Sequence, residues 1–152
     1  AAILHLRSMP WLKKAPKPRR SLRRDERKKI AARLYNKAAW RHLRASTMDR
    51  MPYCVACLCR VAGRRLTPAE EVHHLTPILS GMDEAQRASL AYASDNVAPL
   101  CRRCHRLIHE QGLRGIDEGR LWRVLDALHA GAGTEELGEI IAELLRDGTT
   151  DF

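Results

Sequence analysis

One phenylalanine, three tyrosines and three tryptophans are all the aromatic residues in 152 positions. Aromatic side chains bring the largest apolar areas to a core, so their scarcity limits what burial alone can hold together in a chain of about one domain's length. A structural metal is one way to make up that shortfall. Long apolar runs are also missing. No stretch approaches the roughly 20 residues that cross a bilayer, and none of signal-peptide length precedes the first charges, so a soluble cytoplasmic protein with no membrane partner is expected. Acidic residues are scarce in only part of the chain. Positions 1–114 hold 24 Lys and Arg against 9 Asp and Glu, whereas positions 115–152 hold 3 against 9. The basic body attracts phosphate backbones whatever their base sequence. The acidic end is expected to face something else.

Disulfides do not fit the cysteine pattern. The five cysteines are an odd number, and four of them form two Cys-x-x-Cys pairs, which favours reduced thiolates on a metal. Cys54, Cys57, Cys101 and Cys104 have the spacing of a closed tetrahedral zinc site, which would tie two separate elements together. Cys59 falls outside the pattern and reads either as a buried thiol or as an alternative ligand.

Composition divides the chain into three parts: a basic, proline-punctuated tail over 1–24, too poor in apolar residues to fold alone; a core over 25–114 with a lead-in helix; and an amphipathic helical extension over 115–152. One helix is expected from Asp25 to about Thr47, with acids in its first turn. Its apolar residues lie on two faces, Ile30, Leu34 and Ala38 on one and Trp40 and Leu43 on another. Short strands are expected at Val72–Leu75 and Val97–Leu100, joined by a polar, Ala-rich connection over Ser80–Ser94, with or without a short helix, and a turn at Asp95-Asn96. A helix follows from Cys101 to Gln111, ended by Gly112. Leu121, Val124, Leu125 and Leu128 mark one later helix, and Leu137, Ile140, Ile141, Leu144 and Leu145 another, with Thr134 as its N-cap. This helical pair either packs on the core or offers a surface to a protein partner or a second copy of the chain.

The histidines lie within the same frame. His73 and His74 are adjacent on a strand and must point to opposite faces. His105 and His109 are four apart on a helix, share one face and can share a metal. His5, His42 and His129 read as packing or surface residues. Arg102, Arg103 and Arg106 serve either as phosphate contacts or as a solvated basic face.

The order Cys-x-x-Cys, His73-His74-x-x-Pro77, Asp95-Asn96, Leu100-Cys-x-x-Cys-His105-x-x-Ile-His109 resembles the zinc-containing HNH endonucleases of phages and bacterial restriction systems, over about residues 33–111. The resemblance implies an α+β fold: a small ββα-metal core stapled by the four-cysteine zinc site, flanked by the basic tail and helix and by the C-terminal helical hairpin. It implies a metal-dependent DNA endonuclease that leaves 5′-phosphate and 3′-hydroxyl ends. Position by position, His74 matches the general base and Asn96 the residue that holds the loop and orients that base. His73 stands where the family has a metal-binding Asp or His, His105 matches the metal-binding His of the final helix, and His109 fits an additional ligand or a helix-surface residue. The catalytic ion implied is Mg²⁺, Mn²⁺ or another divalent cation, and His73 in place of Asp softens the site. Neutral imidazole, with an ordinary pKa of about 6.5, can accept a proton at cellular pH. Two other readings stay open: a zinc-dependent DNA-binding module without nuclease activity, and an accessory factor in phage DNA packaging.

Overall fold

The structure is a computed structural model and describes residues 22–146. Most of the expected basic tail, residues 1–21, lies outside the described residues, as does 147–152. Helices and one small sheet make an α+β fold. The order is α1 (Arg24–Tyr35), α2 (Ala38–Arg50), the short α3 (Val55–Leu58), β1 (Glu71–His74), α4 (Glu84–Tyr92), β2 (Val97–Leu100), α5 (Arg102–Gln111), α6 (Glu118–His129) and α7 (Thr134–Arg146), with 3-10 turns at Ile78–Ser80 and Ser94–Asn96.

The single lead-in helix expected from Asp25 to Thr47 is instead two helices, beginning at Arg24 and broken at Asn36-Lys37. The two apolar faces belong to two packing partners. Leu34 and the half-buried Ile30 of α1 pack with Ile78 and Ala91, whereas Trp40 and Leu43 of α2 pack with Val72 and Val97 of the sheet. A straight helix could not turn both stripes inward. Its break is braced by an edge-to-face contact of Tyr35 and Trp40, with ring centroids 5.1 Å apart.

Strands β1 and β2 pair antiparallel, Glu71 with Leu100, Val72 with Pro99, His73 with Ala98 and His74 with Val97. Leu75, expected in the first strand, lies just beyond it and donates its N–H to the Asn96 carbonyl at 2.9 Å. The Ser80–Ser94 connection contains a helix, α4, capped by the Asp83 side chain, which accepts from the Gln86 N–H. Helix α5 ends as its sequence suggests. Gly112 sits at φ +64°, where a side chain would strain the backbone, and its N–H returns to the Ile108 carbonyl.

The main core joins elements far apart in sequence. Cys54–Cys59, Cys101 and Cys104 are buried in one cluster with Leu121, Val124, Leu125 and Leu128 of α6 and Leu137, Ile140 and Leu144 of α7. The apolar faces of the last two helices are therefore turned toward the chain's own core. Backbone bonds reinforce the junction: Val61 N–H donates to Gly115, and Asp117 N–H donates to Cys59 at 2.7 Å. Thr134, expected as N-cap, is the first helical residue. The Leu137 N–H bonds to Gly133, which occupies the capping position. No helix among the described residues is long and apolar enough to cross a membrane.

Candidate active site

The four cysteines of the two Cys-x-x-Cys pairs converge. Cys54, Cys57, Cys101 and Cys104 place their sulfurs within 4.8 Å of one another, all buried. Each pair opens a helix: the Cys54 sulfur accepts from the Cys57 N–H and the Cys101 sulfur from the Cys104 N–H, both at 3.5 Å. The Cys57 sulfur lies 3.9 Å from that of Cys101 and 3.6 Å from that of Cys104. Four buried thiols at such distances cannot all ionise by themselves. Hydrogen bonds with Cys104 and Cys57, followed by burial, hold the Cys54 thiol far above its ordinary pKa. Hydrogen bonds from Cys104 and Cys54 hold Cys57 far below it. A cation of zinc's charge relieves that conflict by letting every sulfur ionise, so the donor set fits a metal such as zinc. Arg60 donates to the Cys104 sulfur at 3.0 Å and supplies positive charge behind the site. Cys59 is buried but lies outside the group. Burial, then the Asp117 carboxylate, pushes its thiol up to about 12, as suits a buried, inert sulfur.

A second convergence involves β1 and α5. Alternation along β1 puts Glu71 and His73 on one face, with Val72 and His74 on the other. On α5, His105 and His109 share a face four residues apart. His73, His105 and His109 consequently meet, with one ring nitrogen from each within 4.8 Å of the others. The His73 ring stands edge-on to both neighbours, at centroid distances of 5.0 and 5.1 Å, and the Nε2 atoms of His105 and His109 are 3.0 Å apart. Burial, then the His105, His109 and His74 charges, lowers the His73 pKa to about 3. Burial and His105 lower that of His109. Neutral imidazoles are the form that binds a cation, and these three could hold a divalent ion.

Glu71 was not singled out from the sequence. Its carboxylate accepts from the Nδ1–H of His105, which leaves Nε2 facing the other two histidines. A carboxylate behind a ligating imidazole fixes its tautomer and orientation. The signal was available, because Glu71 stands two residues before His73 and so on the same strand face. Arg102 lies 3.9 Å from Glu70 and 3.7 Å from Glu71, and Arg106 lies 3.9 Å from Glu110. Both have carboxylate partners within the chain.

His74 leaves the opposite strand face and is not part of the three-histidine group. Its ring stacks on Trp40, with centroids 4.9 Å apart and an interplanar angle of 29°. Its Nε2 lies 3.0 Å from the Ala91 carbonyl. A carbonyl can only accept, so Nε2 carries the proton and Nδ1 keeps its lone pair. Burial lowers the His74 pKa, keeping the ring neutral. Asn96 is buried nearby: Oδ1 accepts from the Thr76 N–H at 2.8 Å, while Nδ2 donates to the carbonyls of Thr76 and Leu90. Asn96 thus pins the backbone two residues after His74 to Leu90, the residue before Ala91. His73, His74, His105 and His109 all border one cleft of about 380 Å³. Of the histidines read as packing residues, His129 donates to the Val97 carbonyl at 2.8 Å and ties α6 to β2.

The arrangement defines a small α+β protein with a buried four-cysteine group that could hold a metal and a histidine-lined cleft. The family model described as HNH endonuclease matches residues 54–111, from the first cysteine pair through the last residue of α5. Over that segment the chain is similar to the HNH endonucleases, a family of nucleases. Helices α1, α2, α6 and α7 lie outside the match. No curated protein and no solved structure matches the chain.

Proposed function

We propose that the protein is an HNH endonuclease that hydrolyses DNA phosphodiester bonds, with His74 as general base, a divalent ion on His73, His105 and His109, and structural zinc on the four cysteines. One observation carries this reading. Three imidazoles from β1 and α5 converge on one cleft, and a fourth, His74, borders the same cleft with its Nε2 proton already engaged.

Hydrolysis requires removal of a proton from water, in-line attack at phosphorus and compensation of the charge on the departing 3′ oxygen. His74 Nδ1 takes the proton. The Ala91 carbonyl and the Trp40 ring hold the imidazole in place, and Asn96, a positioning residue, fixes the backbone that carries that carbonyl. Glu71 orients His105. A divalent ion such as Mg²⁺ or Mn²⁺, when bound, supplies positive charge to the phosphate and the leaving oxygen. Water attacks phosphorus, the P–O3′ bond breaks, the departing oxygen takes a proton from solvent, and the products carry 5′-phosphate and 3′-hydroxyl ends.

The test is cleavage of supercoiled plasmid by zinc-loaded protein with Mg²⁺, Mn²⁺, Ni²⁺ or no second metal. Wild type is expected to nick or linearise the plasmid only with a second metal. His74→Ala should lose about 10²–10⁴-fold in rate while still binding DNA. A folded wild type that leaves plasmid intact in every metal overturns the reading in favour of a zinc-dependent DNA-binding module.

A further inference from the structure

The histidine cleft has a second wall, which the chemistry above does not use. It is formed by α1, whose Arg27, Ala31 and Tyr35 all line the cleft and, four residues apart, lie on one face of that helix. This wall falls outside the segment that matches the nuclease family. Arg27 is exposed, and among the described residues no carboxylate pairs with its guanidinium. Arg102 and Arg106, on the helix that carries His105, do have carboxylate partners. Arg27 is thus a cleft-lining cation left available for an anion from outside. Its planar fork matches a phosphate in two-point contact.

We propose that this face of α1 is a strand-binding wall of the cleft, with the Arg27 guanidinium holding a DNA phosphate next to the one attacked at the histidines. The inference rests on the nuclease reading and deepens it by assigning a substrate contact outside the family match. The neighbouring phosphate is the one assigned because Arg27 lines the same cleft as the histidines but from a different element, in the first turn of α1, while the reacting phosphate belongs at the histidines themselves.

Arg27→Ala, Arg27→Lys and Lys29→Ala separate the possibilities. Lys29 is exposed and lies about 200° around the helix from Arg27, so it controls for simple loss of charge. Three measurements apply: binding of a 20-base-pair duplex across a range of salt, by zinc-loaded protein without a second metal; plasmid cleavage with Mn²⁺; and hydrolysis of bis(p-nitrophenyl) phosphate, which has one phosphodiester and no neighbouring phosphate. Arg27→Ala is expected to weaken duplex binding about tenfold, to flatten the slope of log K against log salt by about one, and to slow plasmid cleavage. Hydrolysis of the small diester should stay at the wild-type rate. Arg27→Lys should recover the salt slope and part of the affinity. The proposal is overturned if Arg27→Ala is no worse than Lys29→Ala with duplex and plasmid. It is equally overturned if small-diester hydrolysis falls as far as plasmid cleavage, which would put the guanidinium on the reacting phosphate. Should wild type cleave neither substrate, the nuclease reading fails by itself, and the duplex-binding comparison still decides whether Arg27 holds DNA.

Discussion

Replacing Leu125 by alanine asks whether the last two helices and the cysteine site fold as one unit. Leu125 is fully buried in the cluster that contains all four paired cysteines. Truncating a buried leucine costs about 2–5 kcal/mol, the larger values where the surroundings cannot collapse into the gap. Here helices α3, α6 and α7 meet beside the cysteines, a setting that restricts collapse, so a loss of about 3–4 kcal/mol is expected. For a domain of roughly 150 residues each kcal/mol moves Tm by about 2–4 °C, and Tm should fall by roughly 10 °C. The assay follows helix content by circular dichroism and zinc release by a metallochromic indicator in the same thermal ramp. Both midpoints should fall together. A zinc-release midpoint unchanged while the helical midpoint drops would refute the reasoning and make α6 and α7 a separable extension. By the same logic, deleting 115–152 removes the Arg60–Ile116 bridge, the Cys59–Asp117 backbone bond and the buried faces of both helices, and should abolish stable zinc binding. A search for protein partners of the acidic end is therefore better made with substitutions at exposed Glu135, Glu136 and Glu139 than by truncation.

Glu71→Gln should weaken Mn²⁺ binding at the histidines about tenfold, the low end for a supporting carboxylate because Glu71 is 37% exposed; calorimetric titration of zinc-loaded protein measures it, and an unchanged Kd would remove Glu71 from the site. Asn96→Ala leaves the Thr76 N–H and two carbonyls without their partner and should cost about 2–4 kcal/mol in urea unfolding; a loss below about 0.5 kcal/mol would mean that the two loops hold each other without it. Native zinc-loaded protein should expose no cysteine to a thiol reagent, since all five are buried, and chelation should make all five reactive with a simultaneous loss of helix signal. Retention of that signal after metal removal would show that the core stands without zinc.

Residues whose chemistry depends on spacing were the most legible in the sequence. The two Cys-x-x-Cys pairs, the i, i+4 pair His105 and His109, the strand at Val97–Leu100 and the end of α5 at Gly112 each follow from a local rule, and each is where that rule puts it. The break at Asn36-Lys37 had only a weak signal, Asn36 itself, because Asp25–Thr47 contains neither Pro nor Gly and most of its residues favour helix. Only the tertiary demand that Leu34 and Trp40 enter different clusters splits it. The clue was the doubled apolar stripe, which reads as one broad face until the partners are known. Helix α4 was legible as no more than a short helix in a polar, Ala-rich connection, and nothing there showed that its Ala91 carbonyl holds His74. Backbone acceptors of this kind leave no trace in residue type. Glu71 and Arg27 were missed for another reason: each is an ordinary charged residue in sequence, and each gains its meaning from a neighbour more than thirty positions away.

The central claim is that the chain carries a second metal site, built of histidine and separable from the cysteine site. Titrating zinc-loaded protein with Mn²⁺ tests it most directly, with bound zinc counted by native mass spectrometry at each step. Wild type should take up one equivalent of Mn²⁺ beyond its zinc, and His73→Ala and His105→Ala should lose that equivalent while keeping zinc. A folded wild type that binds no second equivalent would contradict the claim and leave a zinc-stabilised DNA-binding protein in place of a nuclease.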